Sequence, residues 1–432
     1  MRPFSIDSPW DLDPSVTFLN HGSYGACPRP VLEAQRALID HLESDPVRFL
    51  SREFEPRLDA AREAVAAFLN ADPAGLVVVP NATTGVATVL ASLRLRPGDE
   101  LLTTDHEYNA TLNALVSVAD RARARVVRAS IPLPIRHPEE VVEAILAQVT
   151  PRTRIALVSH ITSPSGLILP IETIVRELDR LGVDTLVDGA HAPGMLPVDI
   201  GGLGAAYWTG NGHKWLCGPK GAGVLHVRED RRPGVLPLVT SHGRNDPRMD
   251  RLPFWKEFDW QGTGDPTAFL ALPEAIRVIG SLQPGGWPAH MAANHELALA
   301  ARTRLHDALG LDPIAPDSMI GSMAAVALPA AALAAVTTSS VGGSATSEGT
   351  APGAEARIMG LVTTLAEEDR IEVPVGLFPV LAARTEGAVP TATLLRVSAQ
   401  RYNEPADYEV LIDALVRRGF AAGASASAIV AR

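Results

Sequence analysis

The chain predicts an α/β fold, with a mostly parallel sheet wrapped by helices on both faces and a smaller α+β domain after it. Three observations lead there. From Leu76 onward, strand-like apolar runs alternate with amphipathic helical stretches, the pattern of a helix-wrapped parallel sheet. The 432 residues suffice for two domains. Past Ser318 the text changes to short strands and helices.

Helical periodicity over Pro28 to Asp45 and Pro56 to Asn70 predicts that the chain opens with helices, so residues 1–70 read as an N-terminal arm. Strands are predicted at Leu76 to Val79, Glu100 to Thr103, Arg125 to Ala129, Ile155 to Ser159, Val183 to Val187 and Ala222 to Val227. They assign residues 71–285 to the large domain. Gly234 to Gly264, mixing Pro, Gly, Trp and charge, reads as loops, and Pro273 to Leu311 as helical. Residues 286–432 read as the small domain, with strands at Ile371 to Val375 and Leu394 to Ser398 and a closing helix over Ala406 to Arg418. Inside it, Thr337 to Gly353 is rich in Ser, Thr, Gly and Ala, has no buriable pattern, and reads as a flexible insertion.

A formal charge of −11 argues against a nucleic-acid or anionic-membrane surface. The opening residues lack the apolar core of a signal peptide, and the longest greasy stretch, Met323 to Val336, is too short to span a bilayer. Two cysteines, Cys27 and Cys217, suit a reducing compartment. The expectation is a cytoplasmic protein whose partners are a small molecule and a second copy of itself.

Chemistry concentrates where predicted strands stop. Asp188 closes the run from Val183 and opens Gly189-Ala190-His191-Ala192-Pro193-Gly194, which puts a carboxylate at a strand's C-terminal end, where ligands bind in open α/β sheets. A buried anion there needs a cation, and a protonated pyridine nitrogen would supply one. Lys214 follows the aromatic pair Tyr207-Trp208 and, among apolar neighbours, is easily deprotonated into an amine nucleophile. A Schiff-base lysine with an acidic partner for the pyridinium is what pyridoxal 5′-phosphate demands of its protein. Its phosphate needs donors, and Val79-Pro80-Asn81-Ala82-Thr83-Thr84-Gly85 offers a helix N-terminus after a strand. Asn81, Ala82, Thr83 and Thr84 are therefore candidate phosphate ligands, against a plain capping role for Thr83 or Thr84.

Tyr108, after the strand at Leu101-Leu102-Thr103, could stack on a pyridine ring. His106-Glu107 lacks the second histidine of a zinc-protease motif, Ala110 standing in its place, so no metal site is expected. Gly218 to Gly223 has neither dinucleotide nor P-loop spacing and reads as a tight turn. Arg396 is a charge inside the apolar strand around Leu394-Leu395, costly unless paired, and its guanidinium suits an amino acid's carboxylate.

The runs Val187 to Gly194 and Gly212 to Gly221 resemble the class V aminotransferase-like enzymes, in the isopenicillin N epimerase-like branch that includes C–S lyases. The likeness extends from Phe18 to Asn403. It implies fold type I, the aspartate aminotransferase-like pyridoxal-phosphate fold with a seven-stranded sheet, and a homodimer with shared active sites. By the resemblance, Tyr108 stacks on the cofactor, Ser163 and His191 address its phenolic oxygen, and Asn211 and His213 complete the phosphate cup. Ser163 departs from the asparagine of related desulfurases. The resemblance also sends Thr263 across the dimer interface to the partner's phosphate and gives Arg396 the substrate α-carboxylate. Asn20, His21 and Ser23 are further substrate-contact candidates.

The activity expected is β-elimination at the C–S bond of a cysteine conjugate, in secondary or thiol metabolism. Epimerisation is the first alternative, and oxidative deamination with decarboxylation, or transamination, the next. Persulfide-forming desulfuration is disfavoured, because no cysteine follows Cys217. A non-catalytic pyridoxal-phosphate-binding regulator would need a DNA-binding unit that neither the arm nor the charge suggests.

Overall fold

The computed structural model describes residues 8–335, 353–380 and 391–420. The strands are β1 (Thr17–Phe18), β2 (Leu76–Val79), β3 (Glu100–Thr104), β4 (Arg125–Ala129), β5 (Thr153–Ser159), β6 (Asp184–Asp188), β7 (Tyr207–Asn211), β8 (Gly223–Val227), β9 (Met323–Leu328), β10 (Ile371–Glu372), β11 (Val375–Phe378) and β12 (Ala392–Ser398).

Seven of them form the large sheet, in the order β2-β8-β7-β6-β5-β3-β4. Only β8 runs against the rest, pairing antiparallel with both β2 and β7. Such strands are buried on both faces, which is why they read as continuous apolar runs. Along β5, Ile155 and Leu157 join one apolar cluster while Ala156 and Val158 join the larger one on the other face. Since β5, β6 and β7 are parallel, Ser159, Asp188 and Asn211 all come out at one edge of the sheet.

The sequence missed several features. The chain does not open with helices: β1 precedes them and pairs in parallel with β10, tying the arm to the small domain. Two residues are too few to display a strand's period. Gly234 to Gly264 is not all loop, for Pro253–Asp259 is helical; Pro253 starts it and Phe254 and Phe258 are buried one turn apart. The helical stretch after Pro273 is two helices, Leu272–Gly280 and Gly286–Leu309, parted where Gly285 and Gly286 take positive φ. The greasy stretch from Met323 is β9 followed by a short helix, Ala330–Ala334, and none of the described helices is long and apolar enough to cross a membrane. Residues 337–352 of the expected insertion lie outside the described residues.

The small sheet is antiparallel, in the order β11-β12-β9. Pro374 separates β10 from β11, dividing what reads as one strand. The closing helix is Pro405–Arg417.

Candidate active site

A cavity of about 300 Å³ opens at that edge of the large sheet. It is lined by Asn81, Ala82 and Thr83 after β2, Ser159 on β5, Asp188 on β6, and Asn211, His213 and Lys214 on and after β7. Tyr108, Ser163, His191 and Ser23 complete the wall together with Arg396, which comes from the small sheet.

The Lys214 amine lies 3.2 Å from Nε2 of His191, whose Nδ1 accepts a hydrogen bond from Trp215 Nε1 at 3.3 Å. That bond leaves the proton of a neutral imidazole on Nε2, pointing at the amine. Burial keeps His191 neutral, well below the usual imidazole range, and the same desolvation, with Arg396 nearby, lowers Lys214 to about 8. Asp188 is buried, accepts from the Ala190 N–H at 2.9 Å, and has its pKa raised by burial. The cavity thus holds an amine poised to condense with a carbonyl and a buried carboxylate that makes no ion pair among the described residues.

The helix Ala82–Ser92 points its N-terminus into the cavity. Its cap is Asn81, whose Oδ1 accepts from the Thr84 N–H at 2.9 Å and from Thr84 Oγ1 at 3.1 Å. Capping therefore falls to Asn81, not to Thr83 or Thr84, and Thr84 is spent on the cap and does not line the cavity. Asn211 Oδ1 takes the Ala82 N–H at 2.8 Å, fixing the turn to β7. His213 has a buried Nδ1 with no partner among the described residues.

Arg396 is buried and makes no ion pair among the described residues. Its guanidinium donates to the Ser163 carbonyl and to Ser23 Oγ at 3.3 Å, leaving Nε without a partner. Desolvation lowers its pKa to about 10. Ser163 thus orients Arg396, a use the sequence did not suggest. Tyr108 is 45% exposed, at the mouth of the cavity rather than in the core. His106 turns inward instead, bonded to Ser165 and the Ile131 carbonyl. No group of metal-ligating side chains occurs among the described residues.

Of the three arm candidates, Ser23 lines the cavity, beside Gly22 and Tyr24, and its Oγ accepts from Arg396; Asn20 accepts from Ser23 Oγ at 2.5 Å from behind. His21 is fully buried, with Nε2 on the Lys214 carbonyl at 3.0 Å and Nδ1 on Tyr402 Oη at 2.8 Å. It backs the lysine rather than facing the cavity. Gly25 lets the arm come this close: its φ is +71°, and a Cβ there would lie 2.0 Å from the His213 carbonyl. Thr263 is exposed and outside its own chain's cavity, so any phosphate contact by it requires a second copy.

Sequence reasoning missed Glu107 and Ser159. Ser159 lines the cavity and donates from N–H and Oγ to Glu107, at 2.7 and 2.5 Å. Buried, with no ion pair among the described residues and with Asp188 near it, Glu107 is pushed up to about 8. The signal was there in two strand-end polar residues, but their pairing joins β3 to β5.

A family model for aminotransferase class V matches residues 19–338. The chain belongs to the class V aminotransferase family. Isopenicillin N epimerase from Amycolatopsis lactamdurans is 36% identical to this class V chain, covering 94% of it and 95% of the relative. A probable chloroplastic L-cysteine desulfhydrase from Arabidopsis thaliana is 29% identical over 94% of the chain and 84% of the relative. The cysteine desulfurase CsdA from Escherichia coli has the same fold, with a TM-score of 0.72 at 23% identity, over 95% of this chain and 96% of that one. So does the cystine C–S lyase C-DES, solved with cysteine persulfide, with a TM-score of 0.73 at 21% identity, over 93% and 97%.

This class V member is a pyridoxal 5′-phosphate enzyme with the type I fold. Its residues fit the cofactor: a desolvated amine, a buried carboxylate and a helix N-terminus meet in one cavity.

Proposed function

We propose that this enzyme is a C–S β-lyase acting on a cysteine S-conjugate. The observation that carries the reading is the buried Arg396, without a carboxylate partner among the described residues, on the same cavity as Lys214 and Asp188. A buried guanidinium in that state is a receptor for a substrate carboxylate. Bound pyridoxal phosphate supplies an aldehyde for the amine and an electron sink that loosens bonds at the substrate's Cα.

The chain's residues do the rest. Asp188 would hold the pyridinium nitrogen. Asn81, Ala82 and Thr83, with Asn211 and His213, would hold the phosphate, and Tyr108 would offer its face to the ring. Arg396, oriented by Ser163 and Ser23, fixes the carboxylate, which leaves the α-proton to Lys214 Nζ as base. His191 Nε2–H steadies that amine between proton transfers. Loss of the α-proton and of the sulfur group from Cβ, followed by hydrolysis, gives pyruvate, ammonia and a free thiol. A persulfide relay is disfavoured because neither cysteine lines the cavity: Cys217 is buried with its thiol pushed up, and Cys27 is raised to about 12.

Epimerisation is the second reading, favoured by the higher identity to the Amycolatopsis epimerase. Incubation of the holoenzyme with S-substituted cysteines in deuterated water separates the two. Pyruvate and thiol support the lyase; inversion with deuterium at Cα and no pyruvate replaces it with the epimerase. The reading includes a homodimer in which the loop bearing Thr263 reaches the other copy's cavity. Light scattering of a cofactor-saturated monomer would remove that part.

A further inference from the structure

A second cavity, of about 230 Å³, adjoins the first. Ser23, Tyr108, Ser163 and Arg396 line both, so the two meet at the guanidinium. Beyond that boundary the lining is aliphatic apart from Asn109, with Pro164 on one side, Pro374, Val375, Leu377 and Val380 on the other, and Leu394 beside Arg396. Among the described residues lining it, Arg396 is the one formal charge. We propose that this cavity receives the side chain of the amino-acid substrate, that the side chain is bulky and uncharged, and that Gly376 sets its size.

The inference rests on the reading of Arg396 as the carboxylate receptor. A carboxylate on Arg396 and an amino group toward Lys214 leave the second, half-open cavity as the space next to the remaining substituent of Cα. A charged side chain would find no partner there beyond an already engaged arginine, whereas an apolar one gains from contact with the aliphatic wall.

Gly376 pairs with Leu394 across β11 and β12, and Arg396 lies two residues along β12, so all three positions present the same face of the small sheet. A Cβ built on Gly376 meets nothing within 4 Å, and its φ is not positive. The glycine is therefore not demanded by backbone or packing. What its missing side chain leaves is room, in the cavity wall itself.

The test uses L-amino acids without a leaving group at Cβ, so that none is consumed by elimination: alanine, 2-aminobutyrate, norleucine, homophenylalanine and glutamate. Each is titrated into the holoenzyme, and half-saturation is read from the absorbance change of the bound cofactor. Affinity should rise roughly three- to fourfold per buried methylene from alanine to norleucine, with glutamate no tighter than 2-aminobutyrate. In Gly376→Val the norleucine-to-alanine affinity ratio should fall by about tenfold, the loss of one to two buried methylenes. A flat series in the wild type, or glutamate binding tightest, overturns the proposal while alanine binding keeps the carboxylate site. An unchanged ratio in folded Gly376→Val overturns the role of Gly376. If no amino acid changes the spectrum, the Arg396 reading itself fails and this one with it.

Discussion

Under the large sheet, every polar group of the cavity stands where a strand stops: Asp188 ends β6, Lys214 follows β7, and Asn81 follows β2. Across the cavity the small sheet works differently. Arg396 sits inside β12, and the apolar surface of the second cavity comes from the middle of β11 and β12. The first wall is built from local signals, a strand and then a turn. The second exists only because chain some 180 residues later folds back over the first, so the proposed cofactor chemistry lies on one side and the proposed selection of substrate on the other.

The sharpest break is on the large-sheet side. Lys214→Ala should abolish the imine absorbance of the bound cofactor and lower turnover by at least about a thousandfold, as removal of a nucleophile does. In the wild type the amine, lowered to about 8, is protonated below that pH and free above it. Apo-protein should therefore reload cofactor about tenfold faster per pH unit up to about pH 8 and then level off. Stopped-flow absorbance checks both.

Arg396 tests the opposite wall. Arg396→Ala should raise KM by roughly 30-fold to 5000-fold, the 2–5 kcal/mol of a truncated buried charge pair, with the cofactor spectrum unchanged in the absence of substrate. Arg396→Lys should recover only part of that, since an ammonium cannot fork onto a carboxylate. A KM that does not move would make Arg396 a structural cation and dissolve the contrast between the walls.

The same contrast explains what was legible. The parallel strands and their terminal residues could be read because a continuous apolar run followed by small polar residues is a local pattern. Pairings between distant segments left no such trace: Ser163 with Arg396, His21 with Lys214 and Tyr402, and β1 with β10. Thr84 turns away from the cavity because Asn81, three residues earlier, takes its N–H and Oγ1 as the helix cap.

His21 lies between the walls, and its effect should be smaller. Burial lowers it to about 3, so it is a neutral ring bonding the Lys214 carbonyl on one side and Tyr402 of the small domain on the other. His21→Ala takes one partner from the Tyr402 hydroxyl and leaves the Lys214 carbonyl with the Cys217 N–H at 3.0 Å, a cost of about 1–3 kcal/mol in all. Thermal denaturation should register that loss, and kcat should fall by about tenfold through misplacement of the amine, with KM little changed. A shift in KM alone would place His21 with the substrate rather than behind the lysine.

The smallest catalytic effect is expected at Glu107, which touches the cavity only through Ser159. Its pKa is raised from 4.5 to about 8, so the folded protein keeps a proton there that the unfolded chain has released. The stabilisation from that protonated carboxyl is complete below about pH 4.5 and is lost as pH rises through about 8. Glu107→Gln mimics the protonated form and can still meet Ser159, but it does not titrate. Turnover near neutral pH should change by no more than about twofold, while the stability of the variant relative to wild type should grow on the order of 1 kcal/mol per pH unit between about pH 5 and 8. Urea denaturation of both proteins across that range measures the slope. A slope of zero would mean that Glu107 is ionised beside Asp188, and that the end of the cavity under the large sheet carries two negative charges for the cofactor's nitrogen to answer.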